Sequence, residues 1–182
     1  MKVKFYHISI ISILLIACSS HSNNPASGSI IITYQLNEVE ELEPSYQTVI
    51  WLEDLNGQYI KSFLVSEYLS YGGYNDSTIC PNWSIPANWD SVSEEIFDAV
   101  TSATPPIGQN ELNIDLEKEK LPAGKYRYII QSHIIEQYNI LYHGTIVVGG
   151  ESNHNIATRE FIPEKHSLAF DVLENVKAEY KP

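Results

Sequence analysis

Short runs of apolar and β-branched residues recur along most of the chain, and polar turn residues separate them. Runs this short and this rich in Ile, Val and Tyr favour strands over helices. Asn56 and Gly57 stand between the second and third runs, and we predict a hairpin there because Asn-Gly accepts the positive φ angles of a tight turn. The last run, residues 166–180, forms either one long strand or two. The other predicted strands are residues 29–36, 46–54, 58–66, 111–117, 125–134 and 139–149.

Residues 89–100 depart from this pattern and predict one short helix. Four apolar side chains there have helical spacing, namely Val92, Ile96, Phe97 and Val100. Ser91 and Glu94 have the spacing of a capping box, which marks the start of a helix. We therefore expect a helix inserted between two strands.

The segment 121–126 (LPAGKY) turns into a predicted strand and carries Tyr126 near the start of that strand. This arrangement resembles the tyrosine corner of immunoglobulin-like domains, in which the tyrosine hydroxyl bonds back to the preceding turn. Together with the hairpin and the succession of strands, it predicts an all-β fold. We expect an immunoglobulin-like antiparallel β-sandwich with one short inserted helix, spanning residues 29–182.

A long connection, residues 66–106, is rich in aromatic side chains. Connections of this length within a compact domain are uncommon and are often functional. Exposed aromatic rings are frequent anchors for binding partners. The alternative is that the connection folds back and buries its rings over an open end of the sandwich. The candidate binding residues are Tyr68, Tyr71, Tyr74, Trp83 and Trp89.

The chain begins with features of a secretion signal. Two lysines precede an apolar run, residues 5–16, that is too short to span a membrane, since a spanning helix needs about 20 apolar residues. Residues 15–18 (LIAC) resemble the lipobox of bacterial lipoproteins. The resemblance implies that the signal peptide, residues 1–17, is cleaved, that Cys18 receives diacylglycerol, and that its new amino group is acylated, typically with palmitate. An ordinary cleaved signal peptide is the alternative.

Residues 18–28 are mostly Ser, Asn, Pro and Gly and are predicted to form a flexible tether between the lipidated Cys18 and the domain. Ser19 and Ser20 follow the cysteine. In Gram-negative lipoproteins an Asp at this place favours retention in the inner membrane, so serine favours the outer membrane. We expect a protein of the cell envelope, anchored by lipid at the outer membrane and facing the periplasm.

The chain is acidic, with a formal net charge of −12, or −14 without residues 1–17, which hold two lysines and no acid. Its basic residues are scattered, which excludes nucleic acid as a partner because a phosphate backbone requires clustered Lys and Arg. Such acidity ordinarily serves solubility, with cation binding or a basic partner as the alternative. With Cys18 acylated, Cys80 has no disulfide partner. We expect Cys80 to pack in the core, a reactive thiol being the alternative.

Three segments, in this order, resemble the predicted periplasmic proteins of domain-of-unknown-function family 2271. They are residues 49–61 (VIWLEDLNGQYIK), 98–108 (DAVTSATPPIG) and 122–126 (PAGKY). The resemblance extends over residues 46–148, and it departs from the family at Ser102, where Gly is usual. The family usually has an acidic and Gly-containing stretch where this chain has Asp115 to Lys120. The family also has a Glu in the later strand, where only His133 or Glu136 of this chain can be aligned with it. The resemblance implies fold and compartment and supplies no catalytic residue.

Neither a catalytic centre nor a cofactor is predicted. His133, Glu136 and His143 could meet across a hairpin, but zinc needs three or four converging ligands, so we expect surface histidines and no metal site. The sequence has no Gly-x-Ser-x-Gly elbow, and no histidine lies near Cys80 along the chain.

Two classes of function remain. We favour a binding or assembly module without enzymatic activity, whose partners besides the membrane are an envelope protein, a peptide or a glycan. The alternative is an accessory role in periplasmic redox or flavin chemistry, which the family resemblance alone implies. Exposed rings in the connection would favour the first function, and a bound chromophore would favour the second.

Overall fold

The computed structural model describes residues 24–167 and 171–182. Its strands are β1 Ser29–Leu36, β2 Thr48–Glu53, β3 Tyr59–Ser66, β4 Thr101–Ser102, β5 Gly108–Asp115, β6 Gly124–Ile135, β7 Tyr138–Val148, β8 Asn153–Ile156, β9 Thr158–Ile162 and β10 Leu173–Lys181. Three short helices, α1 Glu67–Ser70, α2 Pro81–Ala87 and α3 Glu94–Val100, lie between β3 and β4. Two 3₁₀ turns, Gly73–Asn75 and Trp89–Ser91, connect these helices.

The strands form two sheets that pack face to face. One sheet has four strands in the order β5-β1-β10-β8, and the other has six in the order β4-β3-β2-β6-β7-β9. All neighbouring strands are antiparallel except β3 and β4, which are parallel. In β1 every second side chain, from Ile30 to Leu36, is buried in the core between the sheets. The predicted immunoglobulin-like antiparallel β-sandwich is confirmed.

The local turn predictions are also confirmed. The Asp54 N–H donates to the Gln58 carbonyl at 2.9 Å and Gly57 has a φ of +79°, which closes the β2–β3 hairpin. The Tyr126 hydroxyl donates to the Pro122 carbonyl at 2.6 Å, which forms the tyrosine corner at the start of β6.

The segment 67–100, which we call the helical layer, covers the outer face of the six-stranded sheet. It forms a second core with that face, in which Trp51, Ile129 and Leu141 from the strands meet Trp83 and Trp89. All six residues of β2 are buried, because this strand packs against the other sheet on one side and the helical layer on the other. The connection thus lies over a sheet face, not over an open end of the sandwich.

The helical layer differs from its prediction in number of helices and in capping. Ser93, not Ser91, caps α3: its backbone is extended and its hydroxyl accepts from the Ile96 N–H at 3.4 Å. Ser91 belongs to a 3₁₀ turn and bonds to Asn88 instead. The additional helices α1 and α2 lack the spacing of apolar residues that predicted α3: α1 is a single turn of four residues, and α2 contains Pro86.

The remaining differences lie at the ends and edges. Strands β4, β8 and β9 were not predicted, because they are short and carry few buried apolar residues. In the final run the strand begins at Leu173, and residues 168–170 lie outside the described residues. Ala26 is buried and its N–H donates to the Leu121 carbonyl at 2.8 Å, so the boundary predicted at Ser29 is too late. The predicted signal peptide and Cys18 also lie outside the described residues.

Within residues 24–167 and 171–182, no helix is both long enough and apolar enough to cross a membrane.

Candidate functional site

The structure divides the five candidate rings into a buried group and a surface group. Trp83 and Trp89 are 0% and 3% exposed, whereas Tyr68 and Tyr71 are 58% and 71% exposed. Tyr74 is half-buried at the border between the groups. The five residues therefore do not form one binding face.

Trp83 and Trp89 belong to the second core and are almost fully buried. Their rings pack at a centroid distance of 5.1 Å. The indole N–H of Trp83 donates to the Ser62 hydroxyl at 2.8 Å, and that of Trp89 donates to the Ser70 carbonyl at 3.2 Å. A buried indole requires such a partner. The prediction that these two rings belong to an exposed binding face is wrong, because the outer face of the six-stranded sheet needs an apolar cover and they supply it.

Tyr68 and Tyr71 point away from this core because of the geometry of α1. Leu69 and Ser70 are the buried residues of this single helical turn, which leaves the two tyrosines on the opposite side. The Tyr71 ring packs edge-on against Phe97 of α3 at a centroid distance of 5.0 Å. The Tyr71 ring is thus supported on one side while most of its surface stays accessible.

Gly73 helps to place Tyr68. A Cβ atom at Gly73 would lie 2.6 Å from the Tyr68 ring, so only glycine lets the chain pass this close. The two tyrosines line a shallow hollow of about 410 Å³ together with Glu67, Gly72 and Gly73. We call Tyr68, Tyr71 and this hollow the tyrosine surface.

A second hollow of about 440 Å³ lies on the same layer beside Tyr74. Ile85 of α2 borders it and is 82% exposed, more than any other large apolar residue of the described chain. Ile85 is not recognisable from the sequence, since a lone apolar residue between Ser and Pro carries no periodic signal. The other lining residues are mostly polar, including Asn75, Ser77, Ser84, Asn88 and Asp90.

The electrostatics of the helical layer are one-sided. Residues 67–100 contain six acidic residues and no Lys, Arg or His. All six acids are exposed: Glu67, Asp76, Asp90, Glu94, Glu95 and Asp98. The Thr78 hydroxyl and N–H both donate to the Asp76 carboxylate, which lowers the pKa of that carboxyl below its ordinary value. Asp76 is therefore charged at neutral pH, and the exposed rings stand in a negative field.

The three residues weighed as metal ligands have separate partners. His133 pairs with Asn139 across the β6–β7 hairpin, whereas His143 stands opposite Ile129. The ring nitrogens of His133 lie 2.6 Å from the Ser45 hydroxyl and 2.8 Å from the Glu136 carbonyl. His143 Nε2 lies 2.9 Å from a carboxylate oxygen of Glu160. Among the described residues, no group of three or more His, Cys, Asp or Glu side chains is placed to hold a metal ion.

Cys80 is fully buried and packs in the second core, as expected. Its sulfur lies 3.5 Å from the Gln47 carbonyl and 3.7 Å from the Gln131 carbonyl. Burial raises the pKa of the Cys80 thiol. Because the thiolate is the reactive form, this environment opposes nucleophilic and redox chemistry at Cys80.

Comparison with known proteins found no matching family model, no matching curated protein and no matching solved structure. The resemblance to family 2271 therefore stays a prediction from the three segments that carry it.

Proposed function

We propose that this protein is a lipid-anchored binding or assembly module of the bacterial cell envelope, and that the tyrosine surface contacts its partner. It carries no catalytic centre in this proposal. The lipobox-like residues 15–18 support the anchor, and the membrane is thus one partner. An envelope protein, a peptide or a glycan is the other.

One observation carries the binding role: two large rings, Tyr68 and Tyr71, remain exposed beside a buried aromatic core. Tyrosine offers a large contact area and a hydrogen-bonding hydroxyl, and it loses little conformational entropy on binding. Tyr68 and Tyr71 are also positioned by Gly73 and Phe97, which further reduces the entropy lost when a partner binds.

The negative field around the tyrosine surface indicates the character of the partner. Six exposed carboxylates favour a partner that carries basic groups, and they accelerate its encounter with the layer. The rings supply most of the affinity, since buried aromatic anchors dominate binding energies at protein surfaces. We expect capture of the partner to weaken with added salt but to depend chiefly on the two rings.

The anchor is tested by the variant Cys18→Ser in cells labelled with a fatty acid. We expect the label to be lost, because the thiol that accepts diacylglycerol is gone. The variant should accumulate as precursor or appear as a soluble form. A processed and membrane-bound Cys18→Ser protein would refute the lipoprotein assignment.

The binding surface is tested by capture of partners from detergent-solubilised envelopes with wild type and the double variant Tyr68→Ala, Tyr71→Ala. Truncated anchors typically cost about 2 kcal/mol or more of binding, so recovery of the partner should fall at least tenfold. The double variant should keep its unfolding free energy within about 1 kcal/mol of wild type, because both rings are largely exposed.

The matched control is the double variant Leu55→Ala, Ile156→Ala. These side chains are 56% and 75% exposed and lie outside the helical layer, so the control removes similar apolar area elsewhere. Recovery should match that of wild type. Equal loss in both double variants, or equal retention in both, would contradict a role for the tyrosine surface.

A further inference from the structure

Strand β5 is an edge strand with a long open side. All eight of its residues pair with β1 in one continuous antiparallel register, from Gly108 opposite Leu36 to Asp115 opposite Ser29. Within residues 24–167 and 171–182, no strand pairs with its other side. Strand β5 therefore forms one border of the four-stranded sheet, and no residue of the tyrosine surface belongs to it.

The hydrogen-bonding groups on this open side follow from the register. The Leu116 N–H donates to the Gly28 carbonyl at 3.1 Å. Hydrogen-bonded pairs of an antiparallel ladder recur every two residues, so the even-numbered residues of β5 bond to β1. The N–H and C=O groups of Gln109, Glu111 and Asn113 therefore point outward. None of them has a partner in the described part of the chain.

Natural proteins usually protect such an edge, and β5 lacks the usual devices. Edge strands are commonly very short, bulged, or interrupted by Pro or Lys. Residues 108–115 contain no Pro, Lys or Arg, and the pairing of β5 with β1 has no bulge. The other edge strands of the two sheets have two, four and five residues, namely β4, β8 and β9, against eight in β5.

An amphipathic groove of about 290 Å³ runs beside this edge, between β5, β3 and α3. Its apolar lining includes Phe63 of β3, Ile96 and Ala99 of α3, and Leu112 of β5. Ile96 is 41% exposed. Side chains of an added strand that point toward the sandwich would lie next to Leu112 and against this lining, because side chains alternate between the two faces of a sheet.

The opposite face of β5 is acidic. Glu111 and Asp115 are exposed there, with Asn113 between them on the same face of the strand. A second copy pairing through the same edge would place each Glu111 opposite or diagonal to an acid, and like charges on neighbouring strands are destabilising. A strand with Lys or Arg at its solvent-facing positions would instead pair with these acids. The charge pattern thus selects a basic partner over self-association.

We propose that β5 binds an extended segment of a partner protein as an added strand, with basic residues facing Glu111 and Asp115 and apolar residues facing the groove. The main-chain bonds to Gln109, Glu111 and Asn113 hold the strand, and the side-chain alternation selects its sequence.

The test uses hydrogen exchange by NMR on the whole chain purified in detergent, with a synthetic heptapeptide of alternating lysine and valine. At saturating peptide, exchange of the Gln109, Glu111 and Asn113 amides should slow by about tenfold or more, because they become donors in a ladder. The same peptide with N-methyl groups on the backbone amides of its lysines, which are the residues that bond to β5, keeps its charges but cannot pair, and it should give no protection. A peptide of alternating glutamate and valine should not bind the edge.

Two pairs of variants locate the effect. Glu111→Pro removes an outward N–H without removing a bond to β1, and it should abolish protection. Its control is His154→Pro on the edge strand β8. The Ala157 N–H donates to the Val176 carbonyl at 3.0 Å, so in this register the His154 N–H also points outward, away from β10. Ile96→Lys in the groove should weaken binding at least fivefold, whereas Ile156→Lys on β8 should not. If Glu111→Pro does not fold, the comparison of Ile96→Lys with Ile156→Lys tests the proposal in its place.

Three results would overturn the proposal. The first is unchanged exchange of the three amides at saturating peptide. The second is equal binding of the N-methylated peptide, which would show attraction by charge alone. The third is a dimer in sedimentation experiments that Glu111→Pro dissociates, because the occupant would then be a second copy.

Discussion

Replacing Tyr126 by Phe removes only the hydroxyl group and so tests the hydrogen bond of the tyrosine corner. The ring is 7% exposed and packs in the core between the sheets, and phenylalanine retains that packing. The loss is the bond from the hydroxyl to the Pro122 carbonyl at 2.6 Å. A net intramolecular hydrogen bond contributes about 0.5–1.5 kcal/mol. Pro122 is only half-buried, so water can reach the freed carbonyl, and the cost should be about 1 kcal/mol, not the larger penalty of a buried orphan acceptor.

Urea denaturation followed by tryptophan fluorescence measures this loss, since Trp51, Trp83 and Trp89 are all buried. With a slope of about 2 kcal/mol per molar urea for a domain of this size, the midpoint should fall by about 0.5 M at unchanged slope. The control is Tyr71→Phe. Its ring is 71% exposed and its hydroxyl has no hydrogen-bond partner in the described chain, so unfolding should change by less than about 0.5 kcal/mol.

A midpoint for Tyr126→Phe that equals wild type would refute the role of the corner. A loss above about 3 kcal/mol would refute the assumption that water replaces the hydroxyl at Pro122.

Two further predictions concern alkaline stability and the placement of Tyr68. Burial raises the pKa of Tyr34 above its ordinary value of 10.0. The stability that Tyr34 contributes is therefore fully present below about pH 10 and falls by about 1.4 kcal/mol for each pH unit above it. Tyr34→Phe should remove this loss and so flatten the decline of the urea midpoint above about pH 10. Gly73→Ala should cost about 1–3 kcal/mol, because its Cβ would clash with Tyr68. The control is Gly124→Ala, where the added Cβ would have no contact closer than 3.8 Å. If Gly73→Ala lowers the unfolding free energy no more than Gly124→Ala does, the clash with Tyr68 is contradicted.

The elements that the sequence predicted well are those in which local chemistry and burial agree. Strand β1 was predicted with its observed bounds, because it is a short run rich in Ile between polar residues, and alternate side chains of this run are buried in the core. The β2–β3 hairpin follows from Asn56 and Gly57, and the corner from the turn before Tyr126. Each of these features depends on residues close together in the chain.

The division of the aromatic residues could not be predicted in this way. Whether a ring is buried depends on which sheet face the helical layer covers, and that is a long-range property. One signal was present: Val49 to Leu52 form a continuous apolar run in an antiparallel sheet. Such a run indicates burial on both faces and hence a cover on the outer face. The helices α1 and α2 gave no comparable signal, since α2 contains Pro86 and begins after Cys80 with a φ of +46°.

The buried tryptophans and the exposed tyrosines are two parts of one arrangement. The indole N–H groups of Trp83 and Trp89 bond to Ser62 of the sheet and to Ser70 at the end of α1. These bonds and the packing of both rings hold α1 against the six-stranded sheet, so the position of Tyr68 and Tyr71 follows from the core beneath them. A surface held in this way loses little entropy when a partner binds. If the tyrosine surface binds a partner as proposed, a change in the second core should weaken binding in proportion to its effect on the position of α1.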